Sequence, residues 1–157
     1  MITWLAGRTS RVHFFPNVAN LPLRPPAMLA KQAATIDMLS GGRFELGLGA
    51  GAFTEPITGL GGPSRTPAQA RMALSEAIDI IRATWAGEPF SYHGTYYEAP
   101  DVRPGPRPAH DIGLWLGVSA PYVPARPGCP SSTRRSAPPG TPAAIPARSP
   151  ACTTSWA

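Results

Sequence analysis

Residues 21–53, with the sequence LPLRPPAMLAKQAATIDMLSGGRFELGLGAGAF, contain the patterns of one helix followed by one strand. Pro25 and Pro26 suit the first turn of a helix, because the backbone N–H groups there have no intrahelical partner. Apolar side chains then recur at helical spacing, and Gly41 with Gly42 supplies the left-handed stop that ends such a helix. The pattern therefore predicts a helix that begins at the prolines and ends before Gly41.

A glycine-rich strand is predicted directly after this helix. From Arg43 to Gly51, the bulky residues Phe44, Leu46 and Leu48 alternate with positions that become glycine toward the end of the strand. Because side chains alternate across a strand, one face is bulky and the other is bare backbone. A flat ligand has room on the bare face.

The flanking sequence predicts further strands and helices. Thr66 to Gln69 forms a capping box, which predicts a helix that ends at Gly87 and buries one apolar face. Because strands and helices alternate, we expect a parallel sheet. The other predictions are a short strand over residues 11–18, an apolar helix face of Leu74, Ile78, Ile81 and Trp85, a hairpin over residues 90–97 that turns at His93-Gly94, and a buried strand over residues 112–116.

At these residues the chain resembles the luciferase-like monooxygenase family, the flavin- or deazaflavin-dependent oxidoreductases built on a (β/α)8 barrel. The resemblance covers roughly the first three quarters of the chain, in the family's order and spacing. The segments that resemble the family are Thr9-Ser10-Arg11-Val12, residues 17–26, residues 39–44, residues 47–53, Glu76-Ala77-Ile78 and residues 108–117.

The resemblance implies a function and a cofactor site. It implies an oxidoreductase of the monooxygenase type that uses reduced FMN or the reduced deazaflavin coenzyme on a small-molecule substrate. Family members commonly carry a non-prolyl cis peptide that presses on the central ring of the flavin, and its best placement here is Asn17 to Val18. Gly49 and Gly51 are the other candidates for cofactor contact. No catalytic residue is assigned, and an intact member is expected to pair into a homodimer.

The length of the chain predicts that it is a fragment. A (β/α)8 barrel normally needs about 250 residues, whereas this chain has 157. The resemblance places residues 1–117 at about strands three to five of the barrel. Residues 118–157 contain no acidic residue and are rich in proline, so we expect a disordered or frameshifted tail. The alternatives are a truncated product without catalytic activity and a small binding module with a disordered tail.

Charge and composition argue against several other classes of protein. Residues 1–117 hold ten Arg or Lys and nine Asp or Glu, so most of the net charge of +5 comes from the tail. We therefore expect no nucleic-acid partner. No long apolar segment or signal sequence is present, which predicts no membrane association and a cytoplasmic protein. The three histidines show no ligand spacing and both cysteines lie in the tail, so no metal is expected.

Some residues keep two interpretations. Gly47 to Ala52 fits a dinucleotide-binding glycine motif, but Pro56 and the glycines and proline that follow are expected to prevent the helix which that motif requires. Glu55 is either a pocket acid or base or a solvated carboxylate. Arg24 is either an anion ligand or part of a salt bridge. His110 and Asp111 receive no role.

The position after the glycine motif separates two branches of the family. The sugar-phosphate dehydrogenase branch resembles the chain here but has an acidic residue where this chain has Ala52. A sugar-phosphate substrate is therefore not expected.

Overall fold

The computed structural model describes residues 1–117. Residues 118–157, for which we predicted a disordered or frameshifted tail, lie outside the described residues. The elements are α1 (Ile2–Ala6), β1 (Ala19–Asn20), a 3-10 helix (Leu21–Leu23), α2 (Pro26–Ser40), β2 (Leu46–Gly49), α3 (Thr54–Gly59), α4 (Pro67–Ala86), β3 (Phe90–His93), β4 (Glu98–Val102) and β5 (Leu114–Gly117). A parallel sheet in the order β1-β2-β5 carries helices on one face, and β3 with β4 forms a separate antiparallel hairpin.

The helix and strand predicted from residues 21–53 are confirmed. Helix α2 begins at Pro26 and ends at Ser40, and Gly41 caps it with a left-handed φ of 68°. Strand β2 is shorter than predicted, because Arg43 to Glu45 leads into the strand and makes only a single bridge with the chain before β1. Phe44, Leu46 and Leu48 are buried with α2 and α4 and form the centre of the core.

Helix α4 begins at the predicted capping box. The Gln69 N–H donates to Thr66 Oγ1 at 3.3 Å, and the Thr66 N–H donates to Gln69 Oε1 at 2.9 Å. Leu74, Ile78 and Trp85 of the predicted apolar face lie only at the margin of the core. Small residues set the packing instead, because they let α4 lie close to its neighbours. The buried positions are Ala70, Ala73, Ala77, Ile80, Ile81 and Thr84.

Replacing Thr66 by alanine should lower the free energy of unfolding by about 1 kcal/mol, since the Gln69 N–H loses its acceptor. Urea unfolding followed by circular dichroism measures the change. Thr66→Ser should restore most of the stability. Thr35→Ala is the matched control, because Thr35 is exposed in the middle of α2 and bonds only to Lys31 O. Equal losses for Thr66→Ala and Thr35→Ala would contradict the capping role.

Several predicted boundaries are wrong. The first strand does not cover residues 11–18: Phe14 bridges Phe44, the chain then bulges over residues 15–18, and regular pairing resumes in β1. Strand β5 starts two residues later than predicted and ends at Gly117, and it is not buried, since Trp115 is 58% exposed and Leu116 is 48% exposed. The hairpin turn is longer than His93-Gly94, because β4 starts only at Glu98.

The prediction that no helix follows the glycine run is also wrong. Helix α3 begins at Thr54, three residues after Gly51. Pro56 lies in its first turn, where the missing N–H costs no intrahelical hydrogen bond. The helix is only six residues long and ends at Gly59, before the remaining glycines and proline.

Candidate functional site

A bulge before β1 forms the most distinctive surface of the sheet. The Asn17–Val18 peptide bond is cis, which confirms the predicted placement. The Val18 side chain lies over β2 and β5: a Cβ built on Gly49 would be 2.5 Å from Val18 Cγ2, and one built on Gly117 would be 2.9 Å from Val18 Cγ1. Val18 therefore occupies the space that these two glycines leave free on adjacent strands.

Gly47 admits the backbone of the same bulge. A Cβ at Gly47 would overlap the carbonyl oxygen of Pro16. The bare face of β2 thus exists as predicted, but the bulge of the same chain covers it at Gly47 and Gly49. A ligand above this part of the sheet meets Asn17 and Val18 first, and both are exposed. Contact between Gly49 and a cofactor stays a prediction.

Gly51 has a different structural role from Gly49. Its φ is +94°, and a Cβ there would lie 2.6 Å from Pro22 Cγ and 2.9 Å from Ile57 Cδ1. The glycine is therefore needed where the chain leaves β2 and packs between the 3-10 helix and α3. Its predicted contact with a cofactor is likewise untested.

Two aromatic rings extend the surface beside the bulge. Phe15 and Trp115 are stacked with their centroids 6.1 Å apart and their planes at 26°. Trp115 pairs in register with Gly47, and Phe15 Cδ2 lies 3.6 Å from a Cβ built on Gly47, so both rings lie on the glycine face. Together with Val18 they form an exposed apolar surface, which we call the platform. Sequence reasoning missed Phe15 and Trp115 because the two rings meet only through the bulge.

A carboxylate–imidazole–carboxylate cluster lies at the opposite, amino-terminal end of β2. His110 Nδ1 is 2.8 Å from Oδ1 of the fully buried Asp37, and His110 Nε2 is 3.3 Å from Glu45 Oε1. Asp37 Oδ2 also accepts hydrogen bonds from the N–H groups of Ala109 and His110. In barrels of parallel strands this end supports stability, while the carboxyl ends of the strands form the site. The cluster thus fastens the chain before β5 to α2.

The other candidate residues lie outside the platform. Glu55 is exposed in the first turn of α3, and Arg24 is exposed just before α2.

Within residues 1–117 no group of three His, Cys, Asp or Glu side chains is placed to hold a metal. No helix in this part of the chain is both long and apolar enough to cross a membrane. Burial, with the Glu76 and Asp79 carboxylates, raises the pKa of Tyr92, which lies in the hairpin.

A family model described as luciferase-like monooxygenase matches residues 1–123. The chain is 37% identical to the F420-dependent glucose-6-phosphate dehydrogenase of Microbacterium testaceum over 119 residues, which is 74% of this chain and 35% of that protein. Among solved structures, the oxygenating constituent of 3,6-diketocamphane monooxygenase from a Pseudomonas putida plasmid, in complex with FMN, has a TM-score of 0.58 and 29% identity. The match extends over 66% of this chain and over 28% of the monooxygenase chain.

A second solved structure uses a different cofactor. The coenzyme F420-dependent tetrahydromethanopterin reductase of Methanopyrus kandleri has a TM-score of 0.65 and 25% identity, over 76% of this chain and 38% of the reductase. These likenesses confirm the predicted fold class, part of a (β/α)8 barrel. The chain spans between 33% and 39% of the length of the curated relatives it matches.

Proposed function

This chain belongs to the luciferase-like monooxygenase family, and we propose that it is the part of an oxidoreductase barrel that supports the ring of a flavin-type cofactor. The observation that carries the proposal is the seating of Val18 in the space left by Gly49 and Gly117. This packing fixes an apolar side chain at the carboxyl ends of β2 and β5, where barrels of parallel strands bind their ligands.

The residues present fit one face of such a ring. Val18 is 38% exposed, so it offers apolar surface and stays anchored by its own packing. The stacked Phe15 and Trp115 extend that surface, and Asn17, next to Val18 in the chain, is exposed. Apolar contact on one face of the ring excludes water from that face.

The proposed cofactor is FMN or the deazaflavin, because one matched structure is in complex with FMN and another is that of a coenzyme F420-dependent reductase. When bound in its reduced form, it supplies a hydride or activates oxygen. The proposed role of this chain is to bind and orient the ring. The proposed substrate is a small molecule. The sugar-phosphate dehydrogenase branch is expected to have an acidic residue where this chain has the exposed Ala52, which disfavours a sugar phosphate, although four of the matched relatives are F420-dependent glucose-6-phosphate dehydrogenases.

Titration of the full chain with FMN and with the deazaflavin, each oxidised and reduced under anaerobic conditions, tests this proposal. Quenching of cofactor fluorescence and calorimetry measure binding. Val18→Asp should weaken binding by about tenfold or more, since it places a charge under the ring. Val12→Asp is the control, because Val12 is 51% exposed outside the platform.

Two results would contradict the proposal, and each points to a different conclusion. If neither cofactor binds the wild-type chain, the alternative of a truncated product without catalytic activity is favoured. If a cofactor binds and Val18→Asp has no effect, the ring lies elsewhere. Val18→Ala, which adds no charge, and thermal melts of each variant separate loss of binding from loss of folding.

A further inference from the structure

One arginine side chain holds the segment of chain that leads into the bulge. The Arg43 guanidinium lies 5.4 Å from the centroid of the Phe14 ring and donates four hydrogen bonds. The acceptors lie at the ends of α1 and α2 and in the segment between α1 and the bulge: Ala6 O at 2.9 Å, Ser40 O at 2.6 Å, Val12 O at 2.8 Å and Thr9 Oγ1 at 3.2 Å. Because a guanidinium is a rigid fork, acceptors spread around it fix the segment closely.

The backbone of Arg43 holds the next residues of the same segment. The Phe14 N–H donates to Arg43 O at 2.9 Å, and the Glu45 N–H donates to Phe14 O at 2.8 Å. These bonds form the single bridge between Phe14 and Phe44. Side chain and backbone of one residue therefore fasten the chain immediately before the bulge begins.

The bulge contains one residue more than the strand it faces. It begins after the bridge of Phe14 with Phe44, and it ends where Ala19 pairs with Leu48. Phe14 and Ala19 are five positions apart, whereas Phe44 and Leu48 are four positions apart. The extra residue would disappear if the preceding segment moved by one position, so that Phe15 faced Phe44 in a regular ladder. The Phe15 ring would then take the orientation of Phe14 and leave the glycine face, because a shift of one residue exchanges the two faces of a strand.

We propose that Arg43 is a positioning residue that holds this register and so keeps the bulge, with Phe15 and Val18, on the glycine face of the sheet. A regular ladder would pair more backbone groups than the bulge does, so the register has to be fixed from outside the bulge. The hydrogen bonds of Arg43 do this. The effect on cofactor affinity rests on the proposed function, whereas the effect on register does not.

Nuclear magnetic resonance of the isotope-labelled full chain tests the register without any cofactor. The wild type should show nuclear Overhauser contacts between the Phe15 ring and the Trp115 indole, which are stacked. Arg43→Met keeps a long side chain but removes all four donors, so it should lose these contacts and exchange the Phe14 amide about tenfold faster or more. Arg43→Lys should lose most of the contacts as well, because one ammonium group cannot replace a planar fork of donors.

Glu76→Ala is the matched control, because it also removes several hydrogen bonds but lies away from the bulge. The Glu76 carboxylate accepts from the N–H groups of Thr95, Tyr96 and Tyr97 at 2.8, 2.9 and 3.0 Å and so holds the hairpin turn to α4. This variant should keep the contacts between Phe15 and Trp115 and the protection of the Phe14 amide. Equal losses in Glu76→Ala and Arg43→Met would show general loosening of the fold and would overturn the inference.

Titration with FMN and with the deazaflavin, at a temperature where every variant is folded by circular dichroism, tests the consequence for the cofactor. Arg43→Met should bind about tenfold more weakly than the wild type, and Glu76→Ala should bind as the wild type does. If the wild type binds neither cofactor, the proposed function fails while the register result still stands. If Arg43→Met does not fold, Arg43→Lys decides. The inference is overturned if the folded Arg43 variants keep the Phe15 contacts, or if those contacts are lost and cofactor affinity is unchanged.

Discussion

Gly47→Ala should lower the free energy of unfolding by about 3 kcal/mol, because the new Cβ would overlap the Pro16 carbonyl oxygen. The neighbour is backbone, so no side-chain rotation relieves the overlap, and the bulge must move away from β2. That movement shifts Val18 out of the space over Gly49 and Gly117. The variant should therefore also lose the cofactor binding proposed for the platform. Urea unfolding and the cofactor titration measure the two effects.

Gly59→Ala is the matched control for this change. A Cβ at Gly59, the last residue of α3, would meet no atom within 4 Å. Alanine also has less conformational freedom than glycine in the unfolded chain, so this variant should be about 0.5 kcal/mol more stable. The two substitutions are chemically identical and should have opposite signs. A Gly47→Ala variant as stable as the wild type would show that the bulge is not fixed by the bare face of β2.

The parts of the fold that follow local rules were predicted from sequence. Helix α2 and helix α4 have prolines at their start and left-handed glycines at their end, and these signals depend only on the nearest residues. The strand pattern from Phe44 to Leu48 was equally local. Packing between elements was predicted less well: half of the buried positions of α4 are alanines, whose small size matters only once a neighbouring helix is present.

The site was predicted in part, for the same reason. The resemblance indicated Asn17 and Val18, and the alternation of β2 indicated the bare face. Neither showed that the bulge itself fills that face, because the contact joins residues about thirty positions apart. The stacking of Phe15 on Trp115 spans a still longer stretch of chain and has no sequence signature.

Asp37→Ala should also cost about 3 kcal/mol, although Asp37 lies at the end of the sheet away from the platform. Its fully buried carboxylate accepts from the N–H groups of Ala109 and His110 at 2.8 and 3.1 Å, and it is 2.8 Å from His110 Nδ1. Alanine leaves these groups without their acceptor, and each buried donor left unpaired costs roughly 1–3 kcal/mol. Partial access of water to Ala109 and His110 keeps the total below the simple sum. Urea unfolding measures the loss.

Asp101→Ala separates the effect of burial from the removal of a charge. The Asp101 side chain is 70% exposed and meets Arg103 at 3.6 Å, so its loss should change stability by less than about 0.5 kcal/mol. Asp37→Asn should be nearly as destabilising as Asp37→Ala, because one of the two carboxylate oxygens is replaced by an NH2 group that faces other donors. Amide hydrogen exchange should then become faster first at Ala109 and His110, which precede β5 in the chain, while the amides of α4 keep their protection. Uniform loss of protection in both regions would show that Asp37 supports the whole sheet rather than fastening the chain before β5.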